Sequence, residues 1–139
     1  MELTRRNAMI LGAGAIVATG LPLTAAAAAG DEEIAAFTGG AEIGSTGVTL
    51  TAPEIAENGN TVPIEVSAPG ATAIMVLALG NPTPPVATFN FGPLAASQSA
   101  STRIRLAGTQ DVVAIAKLAD GSFARASSTV KVTIGGCGG

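Results

Sequence analysis

Histidine, tryptophan and tyrosine are missing from this 139-residue sequence, and cysteine occurs only once. Without histidine there can be no Ser–His triad, no Cys–His dyad and no histidine-ligated metal site. A single cysteine excludes an intramolecular disulfide. Charged residues make up only 12% of the chain and the net charge is −3, so there is no basic stripe for nucleic acid. We therefore expect no metal, no cofactor and no catalytic residues, and the lone thiol is the candidate functional group.

Aliphatic residues must form the core, because the sequence holds four phenylalanines and no other aromatic residue. Hydrophobic residues account for 47% of the chain, which is enough for a packed core of Val, Ile, Leu and Ala. A length of 139 residues predicts one domain.

The first 29 residues have the pattern of an export signal. Arg5 and Arg6 form a charged start, the apolar run Asn7–Leu23 follows, and Ala25–Ala29 offers small-residue cleavage sites. The paired arginines indicate the twin-arginine route, and we expect the mature protein in the periplasm. A retained membrane anchor is the alternative, but glycine, threonine and proline dilute the apolar run.

The rest of the chain predicts a short helix followed by an all-β domain. Asp31–Phe37 is the predicted helix, with Asp31 as its cap and Gly39-Gly40 as its end. Pro63 should lie on an edge strand or at a position that faces out of the ladder. About seven short strands separated by turn residues are typical of an antiparallel β-sandwich: 43–50, 61–67, 71–79, 86–91, 101–106, 111–118 and 122–134. The strand 71–79 is continuously apolar, which indicates burial on both faces.

Charged side chains elsewhere give only weak signals. Glu65, Asp111 and Asp120 are interpreted as solvated loop or strand-face charges. Arg103 and Arg105 alternate along one strand, so they share a face that is solvated or, alternatively, forms an interface or anion site.

The sequence ends in Gly135-Gly136-Cys137-Gly138-Gly139, so four glycines flank the only thiol. Glycine resists ordering and carries no Cβ, which makes this segment thin and flexible. Five extended residues reach about 17 Å. We therefore predict three regions: an export signal at 1–29, a β-sandwich at 30–134 and a swinging arm at 135–139. A frayed tail with an incidental cysteine is the alternative.

The Cys137 thiol has no activating neighbour in the sequence, since Lys131 is the nearest base. An ordinary thiol is only a few per cent thiolate at neutral pH. Activation would have to come from partner enzymes, which favours a carrier over an enzyme.

Several segments resemble the SoxY family of the bacterial sulfur-oxidising (Sox) system. They are the terminal Val130-Lys131-Val132-Thr133-Ile134-Gly135-Gly136-Cys137-Gly138-Gly139, the segments Pro53–Gly59 and Ser101–Leu106, and the twin-arginine start. The resemblance implies an immunoglobulin-like β-sandwich that forms a heterodimer with a SoxZ-like subunit. It also implies that a c-type cytochrome helps Cys137 to take up thiosulfate as a cysteine S-thiosulfonate. A manganese sulfohydrolase would release sulfate, and a sulfane dehydrogenase would oxidise the remaining sulfur.

Two other classes of function remain as alternatives. A ubiquitin-like sulfur carrier would form a thiocarboxylate on Gly139, after Gly138, but this chemistry needs cytosolic ATP and conflicts with an export signal. A structural or adhesive β-sandwich would dimerise through an intermolecular disulfide of Cys137.

Overall fold

A single helix, α1 (Ala25–Thr38), opens the part of the chain that the structure, a computed structural model, describes; this part comprises residues 25–136. The predicted helix start at Asp31 is wrong, because α1 begins six residues earlier and Asp31 lies in its interior. The reason is that Ala25–Ala29 is a run of the strongest helix former. The predicted end is confirmed: Gly39 and Gly40 have φ of 66° and 82°, and the Gly39 amide donates to the Ala35 carbonyl at 2.8 Å.

Nine strands follow α1 in residues 25–136, in place of the seven predicted. They are β1 (Ile43–Gly44), β2 (Thr49–Thr51), β3 (Ile55–Asn58), β4 (Val62–Ser67), β5 (Ala71–Ala78), β6 (Pro85–Asn90), β7 (Ser99–Ile104), β8 (Gln110–Leu118) and β9 (Phe123–Ile134).

The strands form two sheets, which confirms the predicted immunoglobulin-like β-sandwich. The large sheet has the order β1-β9-β8-β5-β6, with β3 also paired to β9, and the small sheet has the order β2-β4-β7. The sandwich is not wholly antiparallel, because β1 and β3 both pair in parallel with β9. The last strand is long enough to pair with both, because β1 pairs with its first residues and β3 with its last.

Two of the differences from the prediction concern the first three strands. The predicted strand 43–50 is interrupted at Gly47, whose φ of 108° turns the chain, so β1 joins the large sheet and β2 the small one. The sequence of β3, Ile-Ala-Glu-Asn, does not alternate between apolar and polar residues, so it gave no strand signal; in the structure Ala56 is buried and Ile55 is 61% exposed.

Two apolar clusters hold the fold together. One fills the space between the sheets and includes Ile74 and Val76 of β5. The other lies on the outer face of the large sheet, where Ile34 of α1 covers Met75 and Leu77 of the same strand. Strand β5 is therefore buried on both faces, as predicted, because α1 covers the face that the small sheet does not.

Pro63 occupies a stretch of β4 that has a neighbour on one side only. It pairs with Arg103 of β7, whereas β2 pairs with β4 only from Glu65 to Ser67. A residue without an amide proton costs no ladder hydrogen bond on the open side. This confirms that Pro63 lies where the ladder is incomplete.

Asp120 closes the turn between β8 and β9. Its Oδ1 accepts hydrogen bonds from the Ser122 hydroxyl and, at 2.9 Å, from the Ser122 amide. The hydroxyl bond, followed by the amide bond, lowers the pKa of the Asp120 carboxyl below its ordinary value.

We predict that this turn adds a pH-dependent part to stability. Because the folded-state pKa of Asp120 is depressed, its contribution is present above the unfolded pKa of about 3.9 and is lost as the pH falls through the folded value. Thermal unfolding at about pH 6 and about pH 2.5 should show Asp120→Asn less stable than wild type only at the higher pH. Ser122→Ala should give a smaller loss because the amide bond remains. An equal loss at both pH values would contradict this assignment.

Candidate functional site

The described chain ends two residues beyond β9, at Gly136. Cys137, Gly138 and Gly139 lie outside the described residues, as do residues 1–24 of the proposed signal. Attachment at Cys137 and the boundaries of the signal and the arm therefore stay predictions. What the structure shows is the base from which the predicted arm leaves the sandwich.

The last part of β9 leaves its antiparallel neighbour and gains a parallel one. Pairing with β8 ends at Val130, opposite Gln110. From Lys131 to Ile134 the strand pairs instead with β3. Strand β3 therefore extends the support of β9 as far as the residue before the first glycine of the arm.

Three chain segments meet by backbone hydrogen bonds at the end of β9. The Gly59 amide donates to the Ile134 carbonyl at 2.7 Å, and the Leu106 amide donates to the Gly59 carbonyl at 2.7 Å. The Gly136 amide donates to the Leu106 carbonyl at 2.8 Å. We call Gly59, Leu106 and residues 134–136 the junction. Gly136 is thus bonded to the sandwich one residue before Cys137.

Close backbone approach explains the glycines of the junction. A Cβ on Gly59 would meet the Leu106 carbonyl oxygen and lie 2.7 Å from the Gly136 nitrogen. A Cβ on Gly136 would lie 2.8 Å from the Gly59 oxygen, and one on Gly135 would meet the Ala107 oxygen. None of the three has a positive φ. The glycines at 135 and 136, predicted to provide flexibility, thus have a second explanation: no larger residue fits there without displacing the neighbouring backbone.

A buried polar cluster lies behind the junction and was missed by the sequence analysis. Asn81 is 4% exposed and Gln110 is 8% exposed. Asn81 donates to the Arg105 carbonyl at 2.8 Å and accepts from the Ala107 amide at 2.9 Å. Gln110 donates to the Asn81 Oδ1 at 2.9 Å and to the Gly108 carbonyl at 3.0 Å. We call Asn81, Gln110 and the backbone of 105–108 the Asn81 clamp.

The only sequence signal for the clamp is Asn81 before Pro82, a dipeptide that marks turns in general. Its partners lie 24 to 29 residues away along the chain. Linear spacing therefore gives no indication of them.

Arg103 lies in β7, whereas Arg105 lies one residue beyond its end, so the two arginines do not lie on one strand as predicted. Arg103 lines an open groove of about 550 Å³ on the small sheet, together with Pro63 and Glu65. Glu65 accepts a hydrogen bond from the Ser101 hydroxyl at 3.4 Å. Arg105 has an exposed side chain, while its carbonyl belongs to the Asn81 clamp.

Neither a metal site nor a membrane-spanning helix is found between residues 25 and 136. No group of three or more His, Cys, Asp or Glu side chains in that range could hold a metal ion. None of the helical residues described there forms a segment long and apolar enough to cross a membrane.

The exposed large apolar residues in the described part of the chain include two at the base of the arm. Ile55 of β3 is 61% exposed and Ile134 of β9 is 65% exposed. Both belong to the strand pair that ends at the junction. The strand pair at the base of the arm therefore exposes two large apolar side chains.

Comparison with solved structures gives a match at family-level identity and others at the level of the fold alone. The sulfur carrier protein SoxY from Chlorobium limicola f thiosulfatophilum is 40% identical, with 78% of this chain and 99% of that chain covered and a TM-score of 0.67. A superoxide reductase (neelaredoxin) from Ignicoccus hospitalis is 20% identical, with 63% of this chain and 81% of that chain covered and a TM-score of 0.54. At such low identity, this second likeness shows a shared fold and nothing about function.

The comparison with protein families covers both the sandwich and the predicted attachment residue. Residues 34–137 match the family described as sulfur oxidation protein SoxY. The comparison with curated proteins found no match. The family match spans three quarters of the sequence and agrees with the structural match and with the terminal motif. The chain therefore belongs to the SoxY family of sulfur oxidation proteins.

Proposed function

We propose that this protein is an exported sulfur carrier that holds thiosulfate-derived sulfur covalently on Cys137. The observation that carries the proposal is the family match, which runs from the helix through the sandwich to residue 137, the only cysteine in the sequence. The SoxY protein of Chlorobium limicola f thiosulfatophilum, 40% identical, is named as a sulfur carrier. The glycines around Cys137 keep its surroundings thin, which suits a thiol that must enter another protein's active site.

The proposed loading step forms one sulfur–sulfur bond. The thiol of Cys137 and thiosulfate join as a cysteine S-thiosulfonate, with the release of one proton and two electrons. A c-type cytochrome accepts the electrons. Hydrolysis then splits the terminal sulfur–sulfur bond: water supplies the fourth oxygen of sulfate, and a persulfide stays on Cys137.

The reaction sequence then returns the thiol. A sulfane dehydrogenase removes six electrons from the outer persulfide sulfur and passes them to a c-type cytochrome, while three water molecules supply the oxygens and release their protons to solvent, which leaves an S-sulfonate on Cys137. A second hydrolysis releases sulfate and restores the free thiol. A manganese sulfohydrolase would catalyse both hydrolytic steps, so this chain supplies attachment and no acid or base.

Partner proteins provide the chemistry in this proposal. A SoxZ-like subunit would form the heterodimer, and the cytochrome and both enzymes would bind at the arm one after another. Exposed Ile55 and Ile134 at the arm's base support such contact.

Export to the periplasm is part of the proposal, and we predict the site of processing. N-terminal sequencing of the native protein should find its first residue between Ala29 and Asp31, because the small residues 25–29 suit signal cleavage. Cleavage there would shorten α1 to its C-terminal half, which holds Ile34 and Phe37 of the second cluster. A native protein that begins at Met1 or Thr4 would contradict export by this route.

Light scattering and turnover together test the carrier function against the adhesive alternative. The purified chain is reconstituted with a SoxZ-like subunit, the cytochrome and both enzymes, with thiosulfate as substrate. A carrier should support sulfate formation and keep its association state after reduction. A disulfide-linked dimer that falls apart on reduction and supports no turnover would overturn the proposal.

A further inference from the structure

We propose that Asn81 is a positioning residue for Cys137, because it fixes the loop to which the last residue before the cysteine is bonded. The positioning itself follows from the described contacts. Its consequence for sulfur delivery rests on the proposed carrier function.

Asn81 holds the backbone on both sides of Leu106. Its Nδ2 donates to the carbonyl of residue 105 at 2.8 Å, and its Oδ1 accepts the amide of residue 107 at 2.9 Å. A buried amide side chain that makes both bonds fixes the peptide planes before and after Leu106.

Gln110 closes the clamp from the other side. Its Nε2 donates to Asn81 Oδ1 and to the Gly108 carbonyl, and its Oε1 accepts the Gly80 amide at 2.9 Å. No buried side-chain nitrogen or oxygen among residues 30–136 lacks a partner. A polar cluster with complete hydrogen bonding is rigid, whereas loss of one member leaves buried partners unpaired.

Leu106 connects the clamp to the arm. Its side chain is fully buried in the cluster between the sheets. Its amide donates to Gly59 and its carbonyl accepts from Gly136. The route from Asn81 to Gly136 therefore passes through one residue whose side chain and backbone are both fixed.

This arrangement shortens the reach of the sulfur atom. While the Gly136–Leu106 bond is closed, one residue step of about 3.8 Å separates the Cα of residue 137 from the last bonded residue, compared with three steps, about 11 Å, if the chain were free from residue 135 onward. A partner must then approach the junction itself, or the bond must open before the full arm can extend. A shorter tether also raises the local concentration of the sulfur at a docked partner.

A nitroxide label on Cys137 tests the proposal without any sulfur chemistry, because the sequence has no other cysteine to remove. Electron paramagnetic resonance of the labelled full-length chain should show restricted motion in wild type. In Asn81→Ala the rotational correlation time should fall roughly twofold or more, because the loop at 105–108 is released. Asn81→Asp keeps the acceptor but places a second oxygen against the Arg105 carbonyl in a buried site, so it should also shorten the rotational correlation time.

Thr38→Val is the matched control. Thr38 is also buried, at 7% exposure, and its hydroxyl donates to the Ile34 carbonyl at 2.9 Å at the end of α1. The Thr38→Val substitution removes a buried side-chain-to-backbone hydrogen bond from another part of the fold, so it should leave the label's motion unchanged.

Amide exchange of Gly136 in unmodified protein keeps the proposal testable if the Asn81 variants do not fold. The Gly136 amide should exchange roughly tenfold or more slowly than in a free peptide. Exchange at the free-peptide rate, or equal label motion in wild type and folded Asn81→Ala, would overturn the proposal. Failure of the carrier function would appear differently: the labelled proteins would move as predicted, but the unlabelled wild type would support no thiosulfate turnover.

Discussion

Replacing Cys137 with serine should abolish thiosulfate turnover by the reconstituted Sox system and leave the stability of the sandwich unchanged. A serine hydroxyl is not deprotonated at neutral pH, so it cannot replace the thiolate that bonds to sulfur. The free energy of unfolding should stay within about 0.5 kcal/mol of wild type, as for most changes outside the core. Thermal unfolding and sulfate release, measured on the same preparations, check both parts.

Cys137→Ala is the companion variant, because it removes the polar atom as well. It should match Cys137→Ser in both assays if only the thiol matters. Sulfate release by either variant at the wild-type rate would show that sulfur is not carried on Cys137. A large loss of stability would show instead that Cys137 belongs to the folded structure.

Valine at Gly136 should have a far larger structural effect than valine at Gly138. At Gly136 the new Cβ would lie 2.8 Å from the Gly59 oxygen, so the junction must shift. Overpacking against a fixed backbone costs typically about 1–3 kcal/mol. We therefore expect Gly136→Val to lower both the stability of the sandwich and partner-driven turnover.

Gly138→Val is the matched control, since it makes the same change beyond the cysteine. It should leave the unfolding temperature unchanged, while a stiffer and wider arm slows delivery to partner enzymes. Alkylation of the Cys137 thiol by a small reagent should proceed in both variants. Equal unfolding temperatures for Gly136→Val and wild type would contradict the junction, and unchanged turnover in both variants would contradict the need for a thin arm.

Local patterns sufficed for much of the sandwich. The continuous apolar run of β5 predicted burial on both faces, and Gly39-Gly40 marked the end of the helix. Pro63 marked an incomplete part of the ladder. Each of these signals depends on residues adjacent in sequence, which is why it could be recognised before the structure.

The errors have the opposite origin. Strand β3 is defined by its pairing with β9 beyond Val130, although its own sequence shows no strand pattern. Helix α1 starts early because alanine propensity extends it through residues that were interpreted only as a cleavage site. The structure of β3 thus depended on a strand far along the chain. The start of α1 depended on an alanine run that had been interpreted only as part of the export signal.

The candidate site also has a part that could be predicted from sequence and a part that could not. Cys137 could be singled out from sequence because it is the only thiol and lies among glycines. The junction could not, because Gly59, Leu106 and Gly136 come together only through tertiary contacts. The Asn81 clamp behind it joins Asn81, from the connection between β5 and β6, to Gln110 of β8 and to the backbone of residues 105–108.

The mass of one tryptic peptide tests covalent sulfur attachment most directly. Cleavage after Lys131 releases Val132–Gly139, which contains the only cysteine. After incubation with thiosulfate and the c-type cytochrome, we predict that this peptide gains one S₂O₃ unit, which a thiol reductant removes. An unmodified peptide from protein that supports sulfate formation, or a modification at the Gly139 carboxylate, would contradict attachment at Cys137.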